Sequence, residues 1–301
     1  MEYDVIIIGG GPAGLTAGIY CTRYELKTLV IAKEVGGTLA TAPHVDNWPG
    51  IPDVTGYDLM KKVEGHAKSL GVEIKMEEAH GIKKEGDKFV VDTIDHKHEA
   101  KAVIIATGQE RRKLNVPGEE EFDGKGVSYC ATCDGPMYKG ATVGVVGGSD
   151  SAAKEALLLA DYAKKVYILY RKAEIRAEPV TKKQVAANQK IEVIPNVNVV
   201  KIVGGKMMTG VELDNGDKME LEGLFIEIGG VPASQLAEGL GAEVDDKKND
   251  IVIGEDYGTK VPGLFAAGDV TRTWEQGVVA AAGGAVAAFS AYKYVKSLQV
   301  K

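Results

Sequence analysis

Short apolar runs rich in valine and isoleucine alternate along this chain with longer amphipathic stretches, and glycine clusters stand between them. Residues 3–8 form the first apolar run, GGGPAG follows at 9–14, a helical pattern continues to about residue 23, and a second apolar run covers 28–32. Apolar runs of this length that are bounded by glycine indicate buried strands. The order therefore predicts a strand, a glycine turn, a helix and a second strand.

The same pattern begins again near the middle of the chain. A strand is predicted at 141–146, the turn GGSDSA follows at 147–152, and a helix at 153–163 leads to a strand at 166–170. Because the unit occurs twice, we expect an α/β protein with two domains of the same architecture, for which 301 residues suffice.

Strand patterns and turns dominate the rest of the chain. Apparent hairpin and single strands are predicted at 71–76, 81–84, 89–94, 102–106, 191–202, 211–221, 224–228 and 264–269. A charged stretch at 110–126 is typical of a hydrophilic linker, and a glycine- and alanine-rich helix is predicted at 275–294.

The first glycine turn has the spacing G-x-G-x-x-G between a strand and a helix. Gly9 permits the turn, Gly11 lets the main chain approach a pyrophosphate, and Gly14 lets helix and strand pack closely. The helix N-terminus adds positive potential. An anionic dinucleotide is the ligand that this arrangement favours.

Charge and composition exclude several classes of partner. The formal net charge of −7 provides no broad cationic surface for nucleic acid or anionic lipid. No uninterrupted apolar run reaches the roughly 18 residues of a membrane span. Three cysteines are too few for a secreted disulfide scaffold, so we expect a reducing, cytoplasmic location.

Cys130 and Cys133 form a C-x-x-C pair just before the second glycine turn. Two thiols at this spacing can close a small disulfide and exchange electron pairs with other disulfides. The alternative is half of a zinc site, but Cys21 is remote and all five histidines precede residue 99 without metal-type pairing. We therefore expect redox chemistry and no metal.

The ordered set GGGPAG at 9, GGTL at 36, VDNWPG at 45, ATG at 106, CATCDG at 130 and GLFAAGDV at 263 resembles the low-molecular-weight thioredoxin reductase family. The resemblance covers essentially the whole chain. It implies two Rossmann-like, three-layer ββα domains: an FAD domain at 1–113 and 239–301, interrupted at 114–238 by an NAD(P)H-type domain that carries the C-x-x-C.

The resemblance also implies which residues line the FAD. They are Gly9, Gly11, Pro12, Ala13, Gly14, Glu34, Gly37, Thr38, Asn47, Thr107, Gly108, Gly268, Asp269, Gln276 and Gly277. Thr38 stands where the family usually has glutamine, so we expect one altered flavin contact. Glu34 is expected to bind the adenosine ribose and Asp269 the ribityl chain or pyrophosphate.

By the same resemblance, Cys133 would face the flavin and Cys130 would attack the protein substrate. A disulfide that takes up two electrons leaves thiolates, so an acid must protonate the leaving sulfur. No histidine follows His98, and Asp134 matches the family's proposed acid. A carboxyl could serve near neutral pH only if burial raised its pKa.

The resemblance places a second dinucleotide, expected to be NADPH, on residues of the middle domain. They are Gly147, Gly148, Ser149, Asp150, Ser151, Arg171, Lys172 and Arg176. Ser149 occupies the middle glycine position, where a side chain reduces the room for pyrophosphate, and Lys172 replaces an arginine. NADH or ferredoxin as donor stays open.

The expected function is reduction of thioredoxin, or of a glutaredoxin-like protein, by two electrons that pass from a reduced donor through FAD and the cysteine pair. A homodimer is implied by the resemblance alone. Two alternatives stay open: a flavin dithiol oxidase that hands electrons to oxygen, and a nucleotide-responsive redox sensor.

Overall fold

A computed structural model describes residues 2–246 and 249–299, and in it the chain folds as two compact units. The first unit holds the described residues up to Ala40, then Val45–Glu110 and those from Val231 onward. The second holds Thr41–His44 and Arg111–Gly230. Each unit has its own hydrophobic core.

These boundaries differ from the predicted ones at three short segments, of which 111–113 lies with the second unit instead of the first. Residues 231–238 lie with the first unit because Ala237 is buried in its core. Residues 41–44 lie with the second, where Thr132 Oγ1 donates to the Thr41 carbonyl at 2.6 Å and Arg111 Nη2 donates to Thr41 Oγ1 at 3.0 Å.

The first unit is built on a seven-stranded sheet. Its strands are β1 (Glu2–Gly10), β2 (Thr28–Val35), β3 (Glu73–Lys75), β4 (Ala79–Glu85), β5 (Lys88–Thr93), β6 (Lys97–Ile105) and β17 (Leu264–Ala266). The order is β3-β2-β1-β6-β5-β4, and β17 pairs with the C-terminal end of β6. All pairs are parallel except β5 with β6 and β4 with β5.

Helices cover one face of this sheet. They include α1 (Pro12–Arg23), α2 (Gly37–Ala40), α3 (Gly56–Ser69) and α8 (Gly277–Leu298), while the short α7 (Gln235–Glu238) contacts β4. Along β1, Val5 and Ile7 pack toward the helices and Ile6 and Ile8 toward the opposite core, as the alternation of side chains in a strand requires.

Helix α8 packs lengthwise on α1, and the contact needs glycine. A Cβ at Gly284 would overlap the carbonyl oxygen of Ala13. Within the described residues, α8 is the helix that is long and apolar enough to cross a membrane, but half of that stretch is buried inside the protein. Its apolar side chains are thus explained in part by packing against α1.

The second unit combines a parallel sheet with a small antiparallel one. The parallel sheet, in the order β11-β10-β9-β15-β8, contains β8 (Val127–Ser128), β9 (Thr142–Val146), β10 (Lys165–Tyr170), β11 (Ile191–Pro195) and β15 (Gly223–Ile226). The antiparallel sheet contains β12 (Val199–Gly204), β13 (Met208–Leu213) and β14 (Lys218–Glu220). Its helices are α4 (Ala131–Asp134), α5 (Asp150–Tyr162) and α6 (Pro179–Ala187), and a 3-10 turn covers Gly135–Tyr138.

Two further strands, β7 (Gln109–Arg111) and β16 (Gly230–Pro232), pair where the chain passes from one unit to the other. With a parallel sheet, an antiparallel β layer and helices, the architecture confirms the α/β fold with two Rossmann-like units.

Four features differ from the sequence prediction. β3 pairs in parallel with β2 and is not a hairpin strand, and the predicted pair at 191–202 is divided between two sheets. Helix α3 was not predicted; Thr55 caps it, because its Oγ1 accepts the Asp58 amide at 3.0 Å. The predicted linker at 110–126 contains the end of β7.

Candidate functional site

The first glycine turn joins β1 to α1. At two of its glycines the main chain touches a neighbouring main-chain carbonyl so closely that a side chain would not fit. Gly9 adopts φ 121°, and a Cβ there would overlap the Ala106 carbonyl at the end of β6. A Cβ at Gly14 would overlap the Gly9 carbonyl. Gly11 is different, because a Cβ there would meet nothing within 4 Å. The main chain at Gly11 therefore borders open space at the start of α1.

Other predicted FAD residues converge on this turn. A Cβ at Gly37 would lie 3.2 Å from Gly11 Cα, and a Cβ at Gly268 would lie 3.0 Å from the Ala13 Cβ. Asn47 Nδ2 donates to Gln276 Oε1 at 3.0 Å, although 229 residues separate the two. Loops from distant parts of the sequence thus meet around the N-terminus of α1.

The remaining predicted FAD residues border the same edge of the sheet. Thr107 Oγ1 donates to the Ala233 carbonyl at 2.7 Å, and Gly108 adopts φ 66°. Glu34 lies near the end of β2 with its side chain exposed, Thr38 is exposed in α2, and Pro12 and Gly277 are the first residues of α1 and α8. The carboxyl ends of parallel strands are where open α/β sheets bind ligands.

Asp269 is the one predicted FAD residue that carries an unsatisfied buried atom. Its Oδ1 has no hydrogen-bond partner in the part of the chain that the structure describes. Burial, followed by repulsion from Glu275, raises the pKa of Asp269 to about 6. A buried carboxylate oxygen without a donor is costly unless a ligand supplies the hydrogen bond. The hydroxyls of an FAD ribityl chain are donors of the kind that this oxygen lacks.

The predicted cysteine pair closes a disulfide at the start of α4. The Cys130 and Cys133 Cα atoms are 5.3 Å apart, and Cys133 is exposed whereas Cys130 is half-buried. Cys130 is the N-cap of α4, and its Sγ accepts a hydrogen bond from the Cys133 amide at 3.1 Å. An N–H directed at sulfur stabilises a thiolate, so after reduction this contact favours ionised Cys130.

Asp134 is held beside the pair by Ser128. Ser128 Oγ donates to Asp134 Oδ2 at 2.7 Å, and the Cys130 amide donates to Ser128 Oγ at 3.1 Å. The Asp134 amide donates to the Cys130 carbonyl at 3.1 Å. Burial and the charge of Asp134 raise the pKa of Tyr138. These bonds fix a half-buried carboxyl next to Cys133.

A buried glutamate, Glu155, and a half-buried one, Glu227, lie near the cysteine segment, where sequence reasoning assigned no function. Glu155 Oε1 accepts the Ala131 amide at 3.4 Å, and Arg111 Nη1 donates to Glu227 Oε1 at 2.6 Å. Burial, followed by repulsion from Glu227, raises the pKa of Glu155 to about 9. Glu155 Oε2 finds no hydrogen-bond partner among the described residues. The raised pKa favours the protonated form of Glu155, while the Arg111 guanidinium faces Glu227.

The second glycine turn is more crowded than the first. Gly147 adopts φ 149°, and a Cβ there would overlap the Glu227 carbonyl. A Cβ at Gly148 would overlap the ring of Tyr170 from the end of β10. Ser149 adopts extended angles, φ −79° and ψ 174°, so its side chain causes no strain, and its Oγ accepts the Ala152 amide at 3.4 Å. One amide at the start of α5 is thus already capped by the protein.

Three cations that follow β10 have no carboxylate partner among the described residues. Arg171, Lys172 and Arg176 are exposed and make no ion pair with any described residue. The Arg176 amide donates to the Gly148 carbonyl at 2.5 Å, which holds that segment against the turn. Asp150 is paired with Lys154 at 3.1 Å and accepts the Glu178 amide, and Ser151 is exposed. Unpaired cations beside a helix N-terminus can bind a phosphate.

The family model for pyridine nucleotide-disulphide oxidoreductases matches residues 3–284 of this chain. The thioredoxin reductase of Listeria monocytogenes is 42% identical over 309 aligned positions that cover 99% of this chain and 95% of that protein. The NADPH-dependent thioredoxin reductase 3 of Arabidopsis thaliana is 41% identical over 98% of this chain and 58% of that protein.

A solved structure shows the same similarity. The crystal structure of Lactococcus lactis thioredoxin reductase superimposes with a TM-score of 0.94 at 36% identity, and the match covers 98% of this chain and 99% of that one.

Gly11 provides a test of the first glycine turn. Its φ of −77° and ψ of −171° suit any residue, so Gly11→Ala should fold normally. The added methyl would occupy the open space by the main chain and should weaken FAD binding at least about tenfold. Circular dichroism of the apoprotein and a flavin fluorescence titration measure the two effects.

Gly14→Ala is the matched control, because its methyl would overlap the Gly9 carbonyl and should prevent folding. If Gly11→Ala bound FAD as tightly as the unchanged protein, the open space would not be the pyrophosphate site.

Asp269→Asn should change apoprotein stability and FAD affinity in opposite directions. The pKa of Asp269 in the folded apoprotein, about 6, is above the ordinary aspartate value of 3.8, so the carboxyl destabilises the fold increasingly as pH rises between those values. At pH 8 the apoprotein of Asp269→Asn should be more stable by up to about 3 kcal/mol, and near pH 3.5 the difference should vanish.

The same substitution should weaken FAD binding about tenfold or more, because a neutral amide accepts a weaker hydrogen bond than a carboxylate. Urea unfolding of the apoprotein against pH and flavin titration provide the measurements. Asp87→Asn, in the exposed turn between β4 and β5, is the control and should change neither. Equal stability of Asp269→Asn and unchanged protein at pH 8 would contradict the raised pKa.

Proposed function

This chain belongs to the thioredoxin reductase family of pyridine nucleotide-disulphide oxidoreductases, and from that premise we propose the route of its electrons. Two electrons pass from a reduced nicotinamide donor, through FAD, to the Cys130–Cys133 disulfide. The reduced cysteines then reduce a disulfide of thioredoxin or of a glutaredoxin-like protein.

The observation that carries this proposal is the cysteine pair itself. It forms a disulfide with Cys133 exposed, its Cys130 sulfur accepts an amide, and the Asp134 carboxyl is fixed next to it. A buried structural disulfide would offer neither access nor an adjacent acid. This arrangement suits a disulfide that opens and closes during turnover.

We propose that the first unit holds the FAD. Gly9, Gly11 and Gly14 shape the turn, and Asp269 accepts a hydroxyl hydrogen bond through its unpartnered Oδ1. When bound, FAD accepts a hydride from a nicotinamide donor and delivers two electrons to a disulfide. The residues that converge around the N-terminus of α1 fit such a group.

The two cysteines and Asp134 carry the electrons and protons on to the substrate disulfide. Two electrons and two protons convert the Cys130–Cys133 disulfide into two thiols, and Asp134 supplies a proton to the sulfur that leaves. Asp134 takes the proton back from Cys130, and the resulting Cys130 thiolate attacks the substrate disulfide; a mixed disulfide forms and the other substrate sulfur leaves as a thiolate. Cys133 then attacks Cys130, which releases the reduced substrate and closes the original disulfide.

We propose NADPH as the donor, bound at the second glycine turn. Arg171, Lys172 and Arg176 supply uncompensated positive charge for a 2′-phosphate beside that turn. The N-cap of Ser149 and the Tyr170 ring over Gly148 reduce the space for the pyrophosphate, so we expect a moderate affinity. NADH and ferredoxin are the alternative donors that the test below distinguishes.

We also propose a homodimer formed through the first unit. Tyr20 of α1 and Val286 and Phe289 of α8 are exposed beside a stacked Tyr24–Tyr292 pair with ring centroids 4.9 Å apart. An exposed aromatic surface of this kind marks an interaction site.

Light scattering should give the mass of a dimer for the unchanged protein. Phe289→Lys should reduce that mass, whereas the control Ile94→Lys, at an exposed hairpin residue, should leave it unchanged. A monomeric unchanged protein would overturn the dimer.

A cytoplasmic location is part of the proposal. The chain keeps Cys21 as a free buried thiol, as a reducing compartment allows. The net charge of −7 supports neither nucleic acid nor anionic membrane as a partner.

An anaerobic stopped-flow experiment tests the route. NADPH should bleach the flavin band of the unchanged protein, and oxidised thioredoxin should restore it. Cys133→Ser should still bind FAD and be bleached, but thioredoxin should not reoxidise it. Cys21→Ala, which changes the remaining buried cysteine, should behave as the unchanged protein.

The same experiment identifies the donor. NADH should bleach the flavin at least about tenfold more slowly than NADPH at equal concentration, because it lacks the phosphate that the three cations would bind. Equal rates would contradict the phosphate site, and no bleaching by either nucleotide would point to ferredoxin. Thioredoxin turnover by Cys133→Ser would contradict the role of the cysteine pair.

A further inference from the structure

Two histidines and a glutamate meet at one edge of the first unit. Glu77 lies between β3 and β4, His96 lies just before β6, and His98 lies within β6. His96 Nδ1 is 3.0 Å from Glu77 Oε1, and His98 Nε2 is 3.1 Å from Glu77 Oε2. Among the described residues this is the one group of three whose potential metal-binding atoms all lie within 4.8 Å of one another.

The spacing of these atoms suits a transition metal. In a tetrahedral zinc site with bonds of about 2.0 Å, neighbouring donor atoms lie about 3.3 Å apart. The two nitrogen-to-oxygen distances, 3.0 and 3.1 Å, are close to that separation. The carboxylate lies between the imidazoles and directs one oxygen at each. Little movement is needed for all three side chains to bind one ion.

The surroundings orient the ligands. Thr93 Oγ1 donates to Glu77 Oε2 at 2.7 Å, and the Thr93 amide and hydroxyl both donate to the His96 carbonyl. The hairpin that carries His96 is thus tied to the carboxylate. Outer hydrogen bonds of this kind are typical of metal sites, where they fix the ligands before the ion arrives.

The three proposed ligands differ in how far their side chains are buried. The Glu77 carboxylate is half-buried, and Thr93 and both histidines lie within hydrogen-bond distance of it. His98 is almost fully buried, with 4% of its side chain exposed, whereas 55% of the His96 side chain is exposed. An ion could enter from the His96 side and keep a coordination position open to water.

We propose that Glu77, His96 and His98 form a binding site for a divalent transition metal, with Zn²⁺ as the preferred ion. Two imidazoles and one carboxylate are a frequent zinc ligand set. Because the ligands come from the segment after β3 and from the start of β6, the ion joins neighbouring parts of the sheet edge. It would stabilise the folded first unit in proportion to its occupancy.

The sequence suggested no such site. The sequence analysis predicts no metal, because none of the five histidines, His96 and His98 included, shows metal-type pairing along the chain. A His-x-His pair on a strand presents both rings on one face, but the third ligand lies 19 residues before His96 on another segment. The pairing of β4, β5 and β6 is what brings it into reach.

Calorimetric titration of the oxidised, FAD-loaded protein with ZnCl₂ tests the site. Oxidation keeps the cysteine pair in its disulfide, so that these thiols do not bind the ion. One Zn²⁺ should bind per chain and raise the thermal midpoint. His96→Gln and Glu77→Gln should each lower the affinity by more than the about 10–100-fold typical of losing an outer-shell partner.

Thr93→Val should lower the affinity by that smaller factor, about 10–100-fold, because it removes the hydroxyl that orients Glu77. His80→Gln is the matched control, since His80 is exposed on neighbouring β4 and lies outside the cluster. It should bind Zn²⁺ as the unchanged protein does. Because His96 is exposed, its substitution should leave the fold intact even if a change at His98 does not.

Co²⁺ provides a spectroscopic check at wavelengths longer than the flavin band. Its visible absorption should appear in the unchanged protein and in His80→Gln, and should be lost in His96→Gln. Absence of Zn²⁺ binding by the oxidised protein, or affinity unchanged in both His96→Gln and Glu77→Gln, would overturn the site. These metal-binding measurements do not depend on which electron donor the enzyme uses or on whether it reduces thioredoxin.

Discussion

The structure depends on main chain packed directly against main chain. At Gly9, Gly14 and Gly284 a single added carbon would overlap a carbonyl oxygen of a neighbouring element. These contacts bring α1 against β1 and α8 against α1 at separations that side chains would prevent. The open space at Gly11 exists because the surrounding glycines set the helix so close to the sheet. The second unit repeats the constraint at Gly147, whose absent side chain makes room for the Glu227 carbonyl.

Each unit contains a largely buried carboxyl group that lowers the stability of its fold. Asp269 in the first unit and Glu155 in the second have pKa values raised chiefly by burial. Neither has a full set of hydrogen bonds from the described residues. Such groups weaken the isolated fold and are expected where ligands or protons are handled. Arg111 offsets part of the cost in the second unit, because its guanidinium faces Glu227.

Local patterns were enough to predict the elements that glycine and apolar runs define. The two strand, turn and helix units lie where the sequence predicts them, because short buried strands and their turns are specified by neighbouring residues. Local patterns alone do not predict contacts between distant segments, such as that of Asn47 with Gln276 across 229 residues; the family resemblance implied that both line the FAD. Helix α3 was missed although its buried Leu59, Met60 and Ala67 stand opposite a polar face, as in an amphipathic helix. Glu155 could have been recognised from the sequence, because it places a charge on the apolar face of α5 between Ala152 and Leu159.

The three cysteines have very different environments. Cys21 is fully buried in α1, and burial raises the pKa of its thiol to about 12, whereas Cys133 is exposed. Alkylating reagents attack thiolates that solvent can reach, so Cys21 is silent toward them as long as the protein stays folded. A count of modified sulfurs in the native protein therefore reads the oxidation state of the C-x-x-C pair directly, and modification of Cys21 reports unfolding.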